Sequence, residues 1–204
     1  MINRSFIDAL SSKAATPGGG SASAYAGALS AALASMVANL TVGKKTYTNV
    51  EADMYICLEK LQNLTDELIE LIDADARAFE PLAKSYRMPK NTPEDVALQD
   101  AFMQEALTNA CVIPLEIMQT ILEVLEQIDF VAENGSRLAL SDAGAAAVFA
   151  KAAVQAASLN VFINTSSMKD KTRAHAYTQE ADALIDAAEN AADRIFNSIS
   201  KTIR

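Results

Sequence analysis

Residues 14–43 form a stretch that contains no charged side chain and is rich in Ala, Gly and Ser. Small side chains recur there at every fourth position, along one ridge of a helix: Ser23, Gly27, Ala31, Ser35 and Asn39. Larger apolar side chains lie on the opposite face: Leu29, Leu33, Met36 and Leu40. A helix that is apolar on nearly all sides must be surrounded. We expect the Ala-rich run 143–157 to pack closely against it, and a second subunit to cover part of the surface.

The rest of the chain repeats apolar residues at helical spacing and lacks the alternation with period two that is typical of strands. This pattern predicts an all-α bundle of about five or six helices, several of them long, in a single domain over residues 1–204. The predicted helices cover residues 3–13, 21–42, 49–86, 93–132, 141–168 and 171–203. Four residues are expected to end, cap or bend these helices: Gly43 as a C-terminal glycine, Thr92 and Ser141 as caps, and Pro114 as a kink or a break.

Composition restricts the class of partner. The net charge is −9 at pH 7, which argues against binding to nucleic acid and to an acidic membrane surface. The N-terminus lacks the pattern of a secretory signal, and Cys57 and Cys111 each fall within a helical pattern, as buried thiols do. We therefore expect a cytoplasmic protein. The uncharged segment is long enough to span a membrane, but its low hydrophobicity favours a helix in the protein core.

A run of glycines begins the second predicted helix: Pro17, Gly18, Gly19, Gly20 and Ser21 are consecutive. Glycine has no side chain to bury, so such a run provides backbone freedom or a close approach. Several backbone N–H groups and the positive end of the helix dipole then point at one place, which predicts an anion site. A flexible hinge is the alternative. The run matches neither a P-loop nor a dinucleotide-binding fingerprint.

An acidic residue interrupts the apolar stripe of the third predicted helix. Asp75 has Leu71, Ile72 and Phe79 one turn away, so its carboxylate is set into the face that should be buried. Asp73 faces elsewhere and is expected to be solvated. A buried carboxylate must be paired, protonated or functional, and burial raises its pKa unless a cation is close. The structural alternative pairs it with a helix end or with a lysine, namely Lys44, Lys45 or Lys151.

Other catalytic groups are scarce. The chain has one histidine, His175, which lies in a polar stretch, and it has no cluster of Cys and His at metal-ligand spacing. We therefore predict no metal site, and an enzyme of this sequence would work with carboxylates, lysines, amides and backbone dipoles. Asn160 and Asn164, one turn apart on an apolar helix, offer donors and acceptors to a planar heterocycle. Their alternative role is that of a polar patch at a helix end.

Several short motifs occur together, in order along nearly the whole chain: residues 15–21 (ATPGGGS), 36–45 (MVANLTVGKK), 73–79 (DADARAF), 88–90 (MPK), 113–115 (IPL), 141–144 (SDAG) and 160–164 (NVFIN). The set resembles the cyclodeaminase/cyclohydrolase family of folate enzymes, which includes the cyclodeaminase half of formiminotransferase-cyclodeaminase and bacterial methenyltetrahydrofolate cyclohydrolases. One departure is visible, because the family usually has Gly-Asn before the Ser-Asp pair whereas this chain has Gly135 and Ser136.

The resemblance implies an all-helical homodimer that binds folate near the subunit interface and uses an aspartate of the Asp-Ala-Asp motif in catalysis. We assign Asp75 and Lys44 to catalysis. The residues assigned to substrate binding are Pro17, Gly18, Gly19, Gly20, Ser21, Lys45, Asp142, Asn160 and Asn164. The substrate is a tetrahydrofolate derivative, and no permanently bound cofactor is expected. The glycine loop with Lys44 and Lys45 would hold the glutamate tail of folate or orient its pterin.

Two reactions of the family share one tetrahedral centre. Water opens the methenyl bridge of 5,10-methenyltetrahydrofolate to give 10-formyltetrahydrofolate, or the second folate nitrogen displaces ammonia from a formimino group. We favour the cyclohydrolase, because this sequence lacks the formiminotransferase domain that would deliver the other substrate. The alternatives are the cyclodeaminase and a folate-binding helical protein without catalytic activity.

Overall fold

The computed structural model describes residues 4–204, and these residues form helices and connecting turns without a strand. The all-α prediction is therefore confirmed. Two single turns of 3₁₀ helix, Lys45–Tyr47 and Arg137–Ala139, lie in connections. The six α-helices are α1 (Arg4–Leu10), α2 (Gly19–Asn39), α3 (Glu51–Ser85), α4 (Pro93–Asn134), α5 (Leu140–Ser167) and α6 (Lys171–Ile203).

Most helix ends lie within two residues of their predicted positions, and one predicted cap is present. Gly43 has a φ of 75° but does not end α2 as predicted, because Leu40 is the capping residue and the Gly43 N–H donates to the Glu51 carboxylate over 2.7 Å. Thr92 forms a reciprocal capping box with Asp95 at the start of α4. The prediction for Ser141 was wrong. The turn of 3₁₀ helix leads directly into α5, so Ser141 is already helical and Ala139 is the capping residue.

Two helices differ from the prediction by more than two residues. The first ends at Leu10 rather than at residue 13, because the hydroxyls of Ser11 and Ser12 donate to the carbonyls of Asp8 and Ala9 and satisfy the helix end. Its predicted start, residue 3, lies outside the described residues. The second helix was predicted over residues 21–42, but α2 already includes Gly19 and ends at Asn39.

Pro114 does not split α4, so the prediction of a break was wrong. The helix runs without interruption from Pro93 to Asn134. Proline has no N–H to donate to the carbonyl four residues earlier, which belongs to Ala110. Asn164 of α5 fills this gap, because its side-chain nitrogen Nδ2 donates to the Ala110 oxygen over 3.0 Å. A hydrogen bond from a neighbouring helix thus satisfies the carbonyl that proline leaves without a partner.

Helix α2 lies against α3, α4 and α5. Its contact with α5 is antiparallel, since Gly19 lies beside Asn160 while the Ser30 hydroxyl donates to the Ala146 carbonyl over 2.8 Å. A Cβ added to Gly27 would come within 2.8 Å of Ile121 on α4, so the small ridge does allow close packing. The Ala-rich run contacts α2 through Ser30 and Ala146, as the sequence predicted, whereas Gly27 of the small ridge faces α4.

Burial of α2 inside the protomer is incomplete. Three large side chains on its outer face are substantially exposed: Leu29 (45%), Met36 (39%) and Leu40 (44%). By length and composition alone, α2, α4 and the segment 137–167 could each cross a membrane, and about half of each apolar window is buried against the rest of the fold. Cys57 and Cys111 are free, buried thiols, as predicted, and burial raises their pKa to about 11 and about 12.

Candidate active site

The Asp75 carboxylate lies at the N-terminus of α2. Its oxygen Oδ2 accepts a hydrogen bond from the backbone N–H of Ser21 over 2.7 Å. The hydroxyl of Ser21 lies 2.9 Å from the same oxygen and 3.0 Å from the carbonyl oxygen of Ile72. Ser21 is the third residue of α2, so its N–H is one of those without a partner inside the helix. The anion site that the glycine loop predicts is thus occupied by a carboxylate of the protein itself.

Close approach, rather than backbone freedom, explains the glycine at position 20. A Cβ there would lie 2.5 Å from Cγ and 2.7 Å from Oδ2 of Asp75, far inside van der Waals contact. At Gly19 it would make ordinary contact with Asn160 at 3.5 Å, and at Gly18 it would meet nothing within 4 Å. None of the three has a positive φ, and Gly19 and Gly20 belong to the first turn of α2.

The environment of Asp75 sets its acidity. Burial raises the pKa of the Asp75 carboxyl above its usual value, and the two hydrogen bonds from Ser21 partly oppose this rise. Of the structural alternatives that the sequence left open, pairing with a helix end is present, through Ser21 in the first turn of α2. Pairing with a lysine is absent among the described contacts, where Lys151 binds Asp193 and Lys44 binds Ser136. Asp73 is exposed, as predicted.

A small cavity of about 120 Å³ opens beside Asp75. Its walls come from α3, α4, α5 and the glycine loop, and Asp75 is the only ionisable side chain among its lining residues: Ala15, Thr16, Gly18, Gly19, Asp75, Ala78, Phe79, Ala110, Pro114, Asn160, Ile163 and Asn164. Oδ2 of Asp75 is held by Ser21, whereas Oδ1 accepts no hydrogen bond from the described residues. The cavity therefore offers one carboxylate oxygen to a ligand in largely apolar surroundings.

The structure brings together most of the predicted site residues. Gly18, Gly19, Asn160 and Asn164 line the cavity with Asp75. Gly20 and Ser21, in the first turn of α2, contact the carboxylate of Asp75, and Pro17 precedes them in the loop. The sequence reasoning did not assign Pro114 to the site, although residues 113–115 were among the motifs that carry the family resemblance.

Three predicted site residues lie elsewhere in the protomer. The ammonium of Lys44 is 3.2 Å from the hydroxyl of Ser136, Lys45 follows it in the chain, and Asp142 lies in the first turn of α5. This group is at the C-terminal end of α2, and the 21 residues of that helix separate its ends by about 30 Å. The expectation that the glycine loop and the two lysines act together therefore fails within one protomer, because they flank opposite ends of the same helix.

Ser136 is the residue at which this chain departs from the Gly-Asn that the family resemblance leads us to expect. Its side chain is buried, its backbone N–H donates to the Thr41 hydroxyl over 2.8 Å, and its own hydroxyl binds Lys44. In this chain the residue therefore holds the ends of α2 and α4 together and positions Lys44. Across residues 4–204, no group of three or more His, Cys, Asp or Glu side chains is placed to hold a metal ion.

Comparison with protein families assigns the chain. Residues 3–183 match the family model described as formiminotransferase-cyclodeaminase. The chain belongs to the formiminotransferase-cyclodeaminase family. Its resemblance to the cyclodeaminase/cyclohydrolase enzymes, deduced from the motifs, is thereby confirmed.

Members of the formiminotransferase-cyclodeaminase family match nearly all of this chain. A methenyltetrahydrofolate cyclohydrolase of Methylorubrum extorquens is 40% identical over 97% of this chain and 95% of its own length. The formimidoyltransferase-cyclodeaminase of Rattus norvegicus is 32% identical over 96% of this chain, which spans only 36% of that longer protein. The crystal structure of formiminotetrahydrofolate cyclodeaminase from Thermotoga maritima superimposes with a TM-score of 0.88 at 27% identity, covering 100% of this chain and 98% of that one.

Proposed function

We propose that this family member is a methenyltetrahydrofolate cyclohydrolase, an enzyme that converts 5,10-methenyltetrahydrofolate and water into 10-formyltetrahydrofolate. The observation that carries the proposal is the lone carboxylate of Asp75 in a cavity without a cation. The methenyl bridge is an amidinium-like cation, and a preorganised carboxylate in apolar surroundings stabilises such a charge. The relative at 40% identity, which matches from end to end, carries this activity in its name.

Asp75 can act as base and then as acid in the same turnover. Its free oxygen Oδ1 accepts a proton from water as the water oxygen bonds to the methenyl carbon, giving a neutral tetrahedral adduct. The protonated carboxyl then donates to the folate nitrogen N5 as the bond between carbon and N5 breaks. The adduct hydroxyl loses its proton to solvent and becomes the formyl oxygen. One proton is released per turnover, and Asp75 returns to its ionised form.

The raised pKa of Asp75 suits this alternation. A carboxyl whose pKa lies closer to neutrality is a better proton acceptor than an ordinary surface aspartate and still gives the proton back. Ser21 holds Oδ2 in place and leaves Oδ1 without a hydrogen bond from the described residues. No metal or permanently bound cofactor is part of the proposed reaction.

The cyclodeaminase reaction is the second candidate, favoured by the full-length match to the Thermotoga maritima cyclodeaminase. In it the second folate nitrogen bonds to the formimino carbon, and the same Asp75 would protonate the amino group of the adduct, which then leaves as ammonia while the methenyl bridge forms. The two reactions separate in parallel assays of the purified protein with 5,10-methenyltetrahydrofolate and with 5-formiminotetrahydrofolate. Faster turnover of the first substrate supports the cyclohydrolase, faster turnover of the second supports the cyclodeaminase, and binding without turnover supports a folate-binding protein.

We further propose that the functional unit is a homodimer that buries the outer faces of α2 and α5. These neighbouring faces expose large apolar side chains: Leu29, Met36, Leu40, Val148, Phe149, Leu159 and Ile163. Between residues 14 and 43 there is no charge at all, and between 143 and 168 there is only Lys151. Surfaces of this kind are typical of contacts between subunits.

An antiparallel contact between two such faces would complete the site. The cavity beside Asp75 holds part of a folate, whereas Lys44, Lys45 and Asp142 lie about 30 Å away at the other end of α2. A twofold axis across the face brings that end of one protomer toward the cavity of its partner. The lysines would then bind the anionic tail of the folate. The single-domain organisation, the cytoplasmic location and the lack of nucleic-acid or membrane partners stay predictions.

A further inference from the structure

Pro114 and Asn164 form a pair with a defined orientation. Proline leaves the Ala110 carbonyl without its usual helical donor, and the Asn164 side chain supplies one over 3.0 Å. A carbonyl oxygen only accepts hydrogen bonds, so the atom that faces it must be the amide nitrogen Nδ2. The gap in α4 therefore decides which way the amide of Asn164 points.

The oxygen of that amide is the group left for a ligand. Asn164 is 8% exposed and lines the same cavity as Asp75 and Pro114. Its oxygen Oδ1 accepts no hydrogen bond from the described residues. Every fully buried side-chain oxygen in those residues has a partner, so Oδ1 is not fully buried. Oδ1 is therefore open to the cavity. An acceptor in so enclosed a place is satisfied by a donor that enters the cavity.

We infer that Asn164 is a specificity residue that accepts a hydrogen bond from an N–H group of the reduced pterin ring, and that Pro114 is the positioning residue that keeps its oxygen turned inward. This inference rests on the proposed function, which supplies the folate. Asn160 differs, because its Nδ2 is 3.3 Å from the Ala156 carbonyl of its own helix and no proline fixes it. Of the two asparagines, only Asn164 is locked as an acceptor.

The inference is tested by the affinity of the protein for tetrahydrofolate and for analogues that each lack one hydrogen-bond donor of the pterin: the N3-methyl, N8-methyl and 2-desamino compounds. We expect the wild-type protein to bind at least one analogue roughly 10- to 100-fold more weakly than tetrahydrofolate, since an acceptor is left without a partner. Asn164→Ala should bind that analogue and tetrahydrofolate with nearly equal affinity. Asn160→Ala, the matched control, should keep the wild-type discrimination.

A double variant separates binding from folding. Asn164→Ala should lower Tm, because the buried Ala110 carbonyl loses its donor. In Pro114→Ala/Asn164→Ala the backbone N–H of residue 114 can donate to that carbonyl, so Tm should recover while discrimination stays absent. Pro114→Ala alone should remain folded and discriminate less, because the amide is no longer held in one orientation.

Two results would overturn the inference. One is discrimination that persists in the Asn164→Ala variant or in the double variant, and the other is a wild-type protein that binds tetrahydrofolate and every analogue equally. A wild-type protein that binds no tetrahydrofolate at all would instead overturn the proposed function, and this inference with it. Recovery of Tm in the double variant shows that any loss of discrimination is not a loss of fold.

Discussion

The backbone of Gly20 lies so close to the carboxylate of Asp75 that a side chain at position 20 would displace it. A Cβ at this position would lie 2.5 Å from Cγ of Asp75. The first turn of α2 and the carboxylate on α3 can therefore approach each other only because residue 20 has no side chain. This contact joins the glycine run of residues 18–20 to Asp75, the acidic residue on the apolar stripe of α3.

Gly20→Ala should lower the rate of methenyltetrahydrofolate hydrolysis by roughly 100-fold or more, the usual scale for loss of a general base. The added methyl group displaces the Asp75 carboxylate from the N–H of Ser21. Gly144→Ala on α5 is the control, since a Cβ there would make ordinary contact with Ile199 at 3.4 Å and Gly144 does not line the cavity. Equal activities of the two variants, measured in the folded proteins, would contradict the assigned role of the contact.

Ser21→Ala should move the acid limb of the pH profile of kcat/KM to higher pH. The Ser21 hydroxyl lowers the pKa of Asp75 by binding the charged form, so its removal raises that pKa. The active carboxylate is lost as pH falls through the pKa, and a higher pKa makes this loss begin at a higher pH. Ser23→Ala is the control, because the Ser23 hydroxyl donates to Gly19 and not to Asp75. An unshifted acid limb in Ser21→Ala would show that Asp75 does not set it.

The helices and the half-buried carboxylate of Asp75 could be predicted from the sequence, because both follow from local periodicity. Asp75 stands on the apolar stripe of α3 and is half-buried, whereas Asp73 is exposed. The placement of Lys44 could not be predicted in this way. Its distance from the glycine loop depends on the length and direction of α2, and proximity in sequence suggested a common site where the fold places the two at opposite ends.

The role of Pro114 shows why a local rule fails in tertiary context. Taken alone, an internal proline predicts a break, since it removes one hydrogen bond of the helix. The break is avoided because Asn164, 50 residues further along the chain, donates to the carbonyl that proline leaves free. Only the packing of α5 on α4 supplies this partner. The same packing turns a candidate ligand-binding amide into one whose nitrogen is already used.

The substitutions Leu29→Glu and Phe149→Glu should each dissociate the proposed homodimer, because each places a charge on the apolar face of α2 and α5. Sedimentation velocity at micromolar concentration measures the result. Leu98→Glu on α4 is the control at an equally apolar but separate exposed position. A wild-type protein that sediments as a folded monomer would contradict the dimer, and a dimer that survives both substitutions would contradict the choice of face.

Mixing two inactive variants tests whether the site is shared. Asp75→Asn and Lys44→Ala homodimers should each have low activity, and after dissociation and reassociation the mixture should recover up to about a quarter of the wild-type rate. Half of the reassociated dimers are mixed, and each mixed dimer has one site with both residues intact. No recovery, with exchange verified by differently tagged subunits, would mean that Lys44 does not serve the cavity of the partner.

The rate of 5,10-methenyltetrahydrofolate hydrolysis by Asp75→Asn tests the central claim most directly. The substitution keeps shape and an acceptor for Ser21 but removes the charge and the capacity to carry a proton. The rate should therefore fall by roughly 100- to 10,000-fold while Tm is maintained. Asp73→Asn, on the exposed face, should stay close to the wild-type rate. Near-normal turnover in Asp75→Asn, or a larger loss in Asp73→Asn, would contradict the assignment of Asp75 as the catalytic carboxylate.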